Sequence, residues 1–410
     1  MIYIPFIYFV LFFLIMWRKQ RSFNIGSLIV LFYIISSFFA ILINKFDLMI
    51  NYKEIDIVPT FLYCILLTIS IIPFYKFRSD KIKLITLANK KLFITISWVL
   101  IILTFISLGI VIPNIKSTLT LNFVDVRKEF YEDTGTFYEF AGLPWYQYLI
   151  NFAPSFSPIL LLFFFYSVVY MDNKEIFNIL LLLSSVVLSL NSILSAARTQ
   201  VIYWFMTFCA LYICFKPQFK TKSKLKILVP SSIIGIFGII YIFSVSTSRF
   251  EDRESGTLGS LISYSGQSFL QFCSVYDHYT FDKLTFDRVF PITSKYILGH
   301  KFTNTQFRDQ QSLRIGANTA VFFTFLGDAM LDFGKFGMII YVLIFYFISI
   351  KCLKRKDYSS ISLSQMIIFV LLMRQTLLGL FAYVYTSISS SIMIIGSLFI
   401  ALLLNKKIKI

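Results

Sequence analysis

Long apolar runs, uninterrupted by any alternation with polar residues, constrain this chain more than any other feature. Segments such as 24–44, 92–112 and 386–404 hold hardly a charge. A helix needs about 20 such residues to cross a hydrocarbon core of roughly 30 Å. In lipid the backbone must satisfy its own polar groups, which leaves helices or closed barrels. Continuous rather than alternating runs select helices. Charged residues make up only 14% of the 410, against roughly 25% in a soluble domain. The expected fold is an all-α, polytopic integral membrane protein forming one integral membrane domain over 1–410.

The runs place about eleven helices, near 2–17, 24–44, 58–75, 92–112, 148–170, 177–194, 200–215, 227–246, 333–350, 361–383 and 386–404. The first run lacks a basic start and a small-residue cleavage site, so it reads as a retained helix. Basic residues then fall on one side if the helices alternate. They are Arg18, Lys19 and Arg21; Lys76 to Lys91; Lys216 to Lys226; Lys351 to Lys356; and Lys406, Lys407 and Lys409. The positive-inside rule makes that side cytoplasmic. The expected localisation is the cytoplasmic (inner) membrane, with the N-terminus outside and the C-terminus inside. The net charge of +17 is thereby assigned to topology and to anionic membrane lipid, with no nucleic acid as partner.

On the opposite side lie two long segments, an outer loop at 113–147 and a large outer loop at 247–332. A loop of the second length is expected to carry short helices of its own. Its apolar stretch 319–332 reads as a re-entrant or interfacial helix. Cys273 alone among the five cysteines falls in a polar loop, which implies no disulfide framework. The two histidines, His278 and His300, lie outside the spans. That arrangement excludes haem held by paired membrane histidines and offers no zinc spacing. No cofactor and no metal is expected.

The outer segments favour arginine, at Arg127, Arg198, Arg249, Arg253, Arg288, Arg308 and Arg314. Arginine grips phosphate bidentately and keeps its charge. An arginine-rich outer face at a lipid boundary suits a diphosphate headgroup, with surface ion pairs as the plainer reading. Arg127, Arg249, Arg253 and Arg314 are candidate substrate contacts. Arg198 lies in the turn Ser195-Ala-Ala-Arg-Thr199, where snorkelling to the membrane edge is the alternative. Arg374 lies roughly 20 Å deep in the 361–383 span. Its alternative is a structural pair with Asp328 or Asp332. Those two acids, four residues apart, share one helix face. His278 is a candidate general base. Arg198, Arg288, Arg374, Asp328, Asp332 and His278 form the candidate catalytic set. Glycines 334 and 337 permit a sharp turn where the chain enters a span.

Many helices, a large outer loop late in the chain, the Ala-Arg-Thr turn, and Asn318-Thr319 followed by Asp332-Phe-Gly334 and Gly337 resemble the bacterial oligosaccharide repeat-unit polymerases, the Wzy-type O-antigen and capsule polymerases. Arg288 with Gly299 after ten residues is similar to an Arg-x10-Gly pattern of some members. The resemblance implies a metal-independent glycosyltransferase. Such an enzyme moves an undecaprenyl-diphosphate-linked oligosaccharide onto the next lipid-linked repeat unit at the outer membrane face, beside a chain-length regulator. The alternatives are an O-antigen ligase of similar layout and a lipid-linked oligosaccharide flippase.

Overall fold

In a computed structural model of the chain, the described residues are 1–46, 48, 55–120, 123, 126, 152–171, 174–250, 256–280, 284–300, 311–313, 315–319, 321–354 and 359–405. Their order is α1 (Tyr3–Gln20), α2 (Ile25–Lys45), α3 (Ile57–Lys76), β1 (Leu84–Thr86), α4 (Lys90–Thr120), α5 (Ser157–Tyr170), α6 (Glu175–Asn191), α7 (Thr199–Phe215), α8 (Thr221–Phe250), α9 (Gly256–His278), α10 (Pro291–Tyr296), α11 (Thr324–Leu353), β2 (Ser360–Ser362), α12 (Leu363–Leu378) and α13 (Ile388–Asn405). Among the described residues, eight helices are long and apolar enough to cross a membrane. The chain is an all-α, multi-pass membrane protein. Its outer surface agrees: Leu11, Ile15, Ile102, Ile106, Phe237 and Phe399 are exposed, in numbers that water would not tolerate.

The expected helices all occur, but not all at spanning length. α5 and α12 are shorter apolar helices. Pro158 occupies the first turn of α5, where a missing N–H is harmless. α12 stops at Leu378 because the chain turns there to meet the start of α11. Thr324 N–H donates to the Phe381 carbonyl at 3.0 Å and Phe325 N–H to that of Gly379 at 2.9 Å. α11 begins at Thr324, ahead of the expected 333, and takes in most of 319–332. Gly334, at φ 76° and ψ 174°, breaks it into two legs. Only glycine adopts that conformation readily.

The chain divides into two compact units. The first comprises Met1–Arg78, Arg253–Lys356 and Leu372–Ser391. Within it α9 packs along α2 at very close range. A Cβ on Gly266 would come within 2.5 Å of the Phe39 and Ala40 backbone, so only glycine fits. Ser36 Oγ donates to the Ser265 carbonyl there at 2.9 Å. Phe9, Tyr33, Tyr63, Phe269 and Phe272 fill the core. α9 is a full-length helix inside a segment expected to hold only short ones, and Cys273 is buried on it. The apolar content of α9 is diluted by serine and glutamine, which hid its burial from hydropathy.

The second unit comprises Ser79–Asp252, Asp357–Leu371 and Ile392–Ile410. Its centre is α5, buried on almost every side, as an all-round apolar helix should be. Phe163 meets Phe93 with ring centroids 4.8 Å apart. β1 pairs in parallel with β2, and Ile85 N–H donates to Tyr170 Oη at 2.9 Å. α8 is mostly exposed along its length, a face for lipid.

Candidate functional site

The first unit concentrates buried charge around the start of α11. Asp332 faces the chain at 285–289 and ties it down. Its carboxylate accepts from Thr285 Oγ1 at 2.8 Å, Asp287 N–H at 3.1 Å, Arg288 N–H at 3.0 Å and Val289 N–H at 2.7 Å. Its carbonyl accepts from Thr285 N–H at 2.8 Å. A buried backbone without regular structure needs partners from elsewhere, and this acid supplies them.

That turn delivers Arg288 into the interior, where it is 7% exposed. Nη1 donates to Asp328 Oδ1 at 2.7 Å. Nε and Nη2 donate to Gln311 Oε1 at 3.2 and 2.8 Å, and Nη2 also to the Thr319 carbonyl at 3.1 Å. The guanidinium carbon lies 5.2 Å from the centroid of the Phe323 ring. Asp328 Oδ2 accepts from Tyr383 N–H at 2.7 Å. Burying an ion pair is costly unless further hydrogen bonds complete it, and here they do. Asp328 and Asp332 share a face as expected, with different jobs: one holds a guanidinium, the other a backbone turn.

Asp287 points the other way. Its Oδ1 accepts from Ser294 Oγ and lies 2.8 Å from His300 Nδ1. The carboxylate side chain is 3% exposed and the imidazole 36%. His278, the expected base, has a local partner instead. Its Nδ1 lies 2.7 Å from the Ser274 carbonyl one turn back on α9.

Arg374 is 6% exposed on α12, and its charge reaches Tyr385. Asp328 and Asp332, its alternative partners, are engaged by Arg288 and by the 285–289 turn. The next residue, Gln375, is 2% exposed. Among the described residues neither its amide oxygen nor its nitrogen has a hydrogen-bond partner, and the same holds for Thr376 Oγ1. Orphaned buried groups of this kind are uncommon in folded proteins.

Arg198 belongs to the second unit. It is 3% exposed, which corrects the snorkelling alternative. Ala196 takes a left-handed conformation (φ 47°) and is buried with Val126 and Val245, so the turn is tucked in instead of reaching the surface. Arg198 Nη1 donates to Ser246 Oγ of α8 at 2.6 Å.

Arg127, Arg253, Arg308 and Arg314 lie outside the described residues, as does the side chain of Arg249. Sequence reasoning missed Asp287, Gln311, Ser294 and His300. The only signal was the acid beside Arg288 in Thr285-Phe-Asp-Arg288. Among the described residues no three His, Cys, Asp or Glu side chains gather as a metal cluster. No protein-family model matches the chain, and no curated protein or solved structure is similar to it.

Proposed function

We propose that this multi-pass membrane protein is a glycan polymerase. It transfers an oligosaccharide from a polyprenyl-diphosphate lipid to the next lipid-linked repeat unit at the outer face of the cytoplasmic membrane, with its N-terminus outside and C-terminus inside. The observation that carries the reading is the Arg374-Gln375-Thr376 patch on α12. Here a buried arginine is followed along α12 by an amide and a hydroxyl that have no hydrogen-bond partner among the described residues. An intramembrane ionisable residue is a functional hypothesis by default, and orphaned buried polar atoms within the same turn of α12 suit a polar ligand.

In this mechanism Arg374 neutralises the diphosphate as the bond to the sugar breaks. The leaving group is already anionic, so it needs electrostatic stabilisation more than a proton. Gln375 hydrogen-bonds a phosphate oxygen or a sugar hydroxyl. Arg198 is the second candidate cation. Arg288 is spent on Asp328 and Gln311 and serves the scaffold. A chain-length regulator is the expected partner protein.

The test is complementation of a gene deletion with Arg374→Ala and Arg198→Ala, reading glycan ladders beside protein level. Arg374→Ala at normal level should leave mostly single-repeat glycan, a transfer loss of about 10²–10³-fold. A deletion that leaves the ladder intact but strands lipid-linked repeats on the cytoplasmic face identifies a flippase instead. A deletion that spares polymerisation but blocks attachment to lipid A core identifies a ligase.

A further inference from the structure

The polar network contains one assembly that a purely structural role does not use fully. Asp287 is buried and fixed. Its own N–H is held by Asp332, and its Oδ1 is shared between Ser294 Oγ and His300 Nδ1. The His300 backbone N–H also donates to the Ser294 carbonyl at 3.1 Å. Nδ1 faces a buried carboxylate and the ring is partly exposed; among the described residues Nε2 has no hydrogen-bond partner. A carboxylate on Nδ1 selects the tautomer whose lone pair sits on Nε2. This is how a histidine is set up to remove a proton from a hydroxyl.

The assembly also connects to the chain that follows α12. Asp287 precedes Arg288, Arg288 binds Asp328, and Asp328 accepts the N–H of Tyr383.

We infer that His300 is the general base of the transfer, with Asp287 as its positioning residue. The inference rests on the glycan-polymerase reading. The acceptor sugar hydroxyl attacks the anomeric carbon of the donor. Its O–H proton passes to His300 Nε2, and a new C–O bond forms. The C–O bond to the lipid diphosphate breaks, and that electron pair leaves on the diphosphate. His300 then returns the proton to water, so nothing is oxidised or reduced.

The experiment uses the purified full-length protein in lipid nanodiscs, with lipid-linked repeat units extracted from cells that lack the gene. His300→Ala should lower turnover about 10²–10⁴-fold with the acceptor KM little changed, and Asp287→Asn should lower it by a smaller factor. Added imidazoles should restore His300→Ala in order of their basicity, a dependence that filling a cavity does not produce. If His300→Ala unfolds at a lower temperature than the parent, His300→Gln carries the test, because its amide can still donate to Asp287. A slow but folded His300→Gln supports the inference. Wild-type turnover in either variant overturns the base while leaving the polymerase reading intact. A folded, slow His300→Ala that no imidazole restores, with KM raised, also overturns it. A parent protein that joins no repeats overturns the polymerase reading, and the base with it.

Discussion

Two buried polar regions in the same unit are built on opposite principles. Around Arg288, donors meet acceptors: the guanidinium makes four hydrogen bonds and the Asp332 carboxylate accepts four. At α12, Gln375 and Thr376 bury polar side-chain atoms that have no hydrogen-bond partner among the described residues. Satisfied networks rigidify a fold, whereas partly satisfied ones are costly (about 1–3 kcal/mol for a stranded group). The first region holds the chain between 285 and 332 in place, and under the proposed function the second receives a polar ligand. Buried arginine alone therefore does not identify a binding residue. What surrounds it does.

The two regions should respond oppositely to substitution. Arg288→Ala strands Asp328 and Gln311 in the interior and should cost about 3–5 kcal/mol. Thermal unfolding in detergent reads this loss, and the protein should accumulate poorly. Pairing it with Asp328→Leu should recover part of the loss, because no lone charge then remains buried. An additive double variant breaks the scaffold assignment. Asp332→Asn turns one acceptor into a donor facing backbone N–H groups and should cost about 1–3 kcal/mol, measured the same way.

Gly334→Ala strains the break between the two legs of α11 by about 1–3 kcal/mol. It should shift the unfolding midpoint down without a change in glycan linkage. Gln375→Leu should behave in reverse. Stability should hold or rise by about 1 kcal/mol as orphaned atoms are removed, while the glycan ladder shortens. A Gln375→Leu protein that is both destabilised and fully active erases the distinction between the regions.

The smallest effect is expected at the end of α9. Burial, and then the nearby Asp56 charge, push the Asp277 carboxyl above its usual range, while Lys335 and His278 act against this. A raised carboxyl in the folded state makes the protein gain stability as pH falls through that raised value. Asp277→Asn should therefore stabilise slightly at neutral pH, by a few tenths of a kcal/mol given its exposure. That gain should vanish in mild acid, when urea unfolding is repeated at both pH values.

Hydropathy made the helices legible because lipid imposes length and apolarity directly. It misjudged the end of α12, which depends on a backbone pairing between 324–325 and 379–381. It also misjudged α9, whose burial depends on the close approach at Gly266. Helical spacing revealed that Asp328 and Asp332 share a face, but not which partner each takes. Those partners lie 40 to 55 residues away for Asp328 and 43 to 47 away for Asp332, beyond any local pattern. His300 carried no signal of its own. Its importance comes from Asp287, which is itself placed by Asp332. The turn at Arg198 looked like a surface feature because its small residues suit a tight turn equally well when α8 covers it.

The most direct test of the central claim is whether the purified protein joins lipid-linked repeat units. Multi-repeat glycan should form with one polyprenyl diphosphate released for each new glycosidic bond, and Gln375→Leu should slow both together. Repeat units that cross the bilayer without any new bond or released diphosphate would contradict the account.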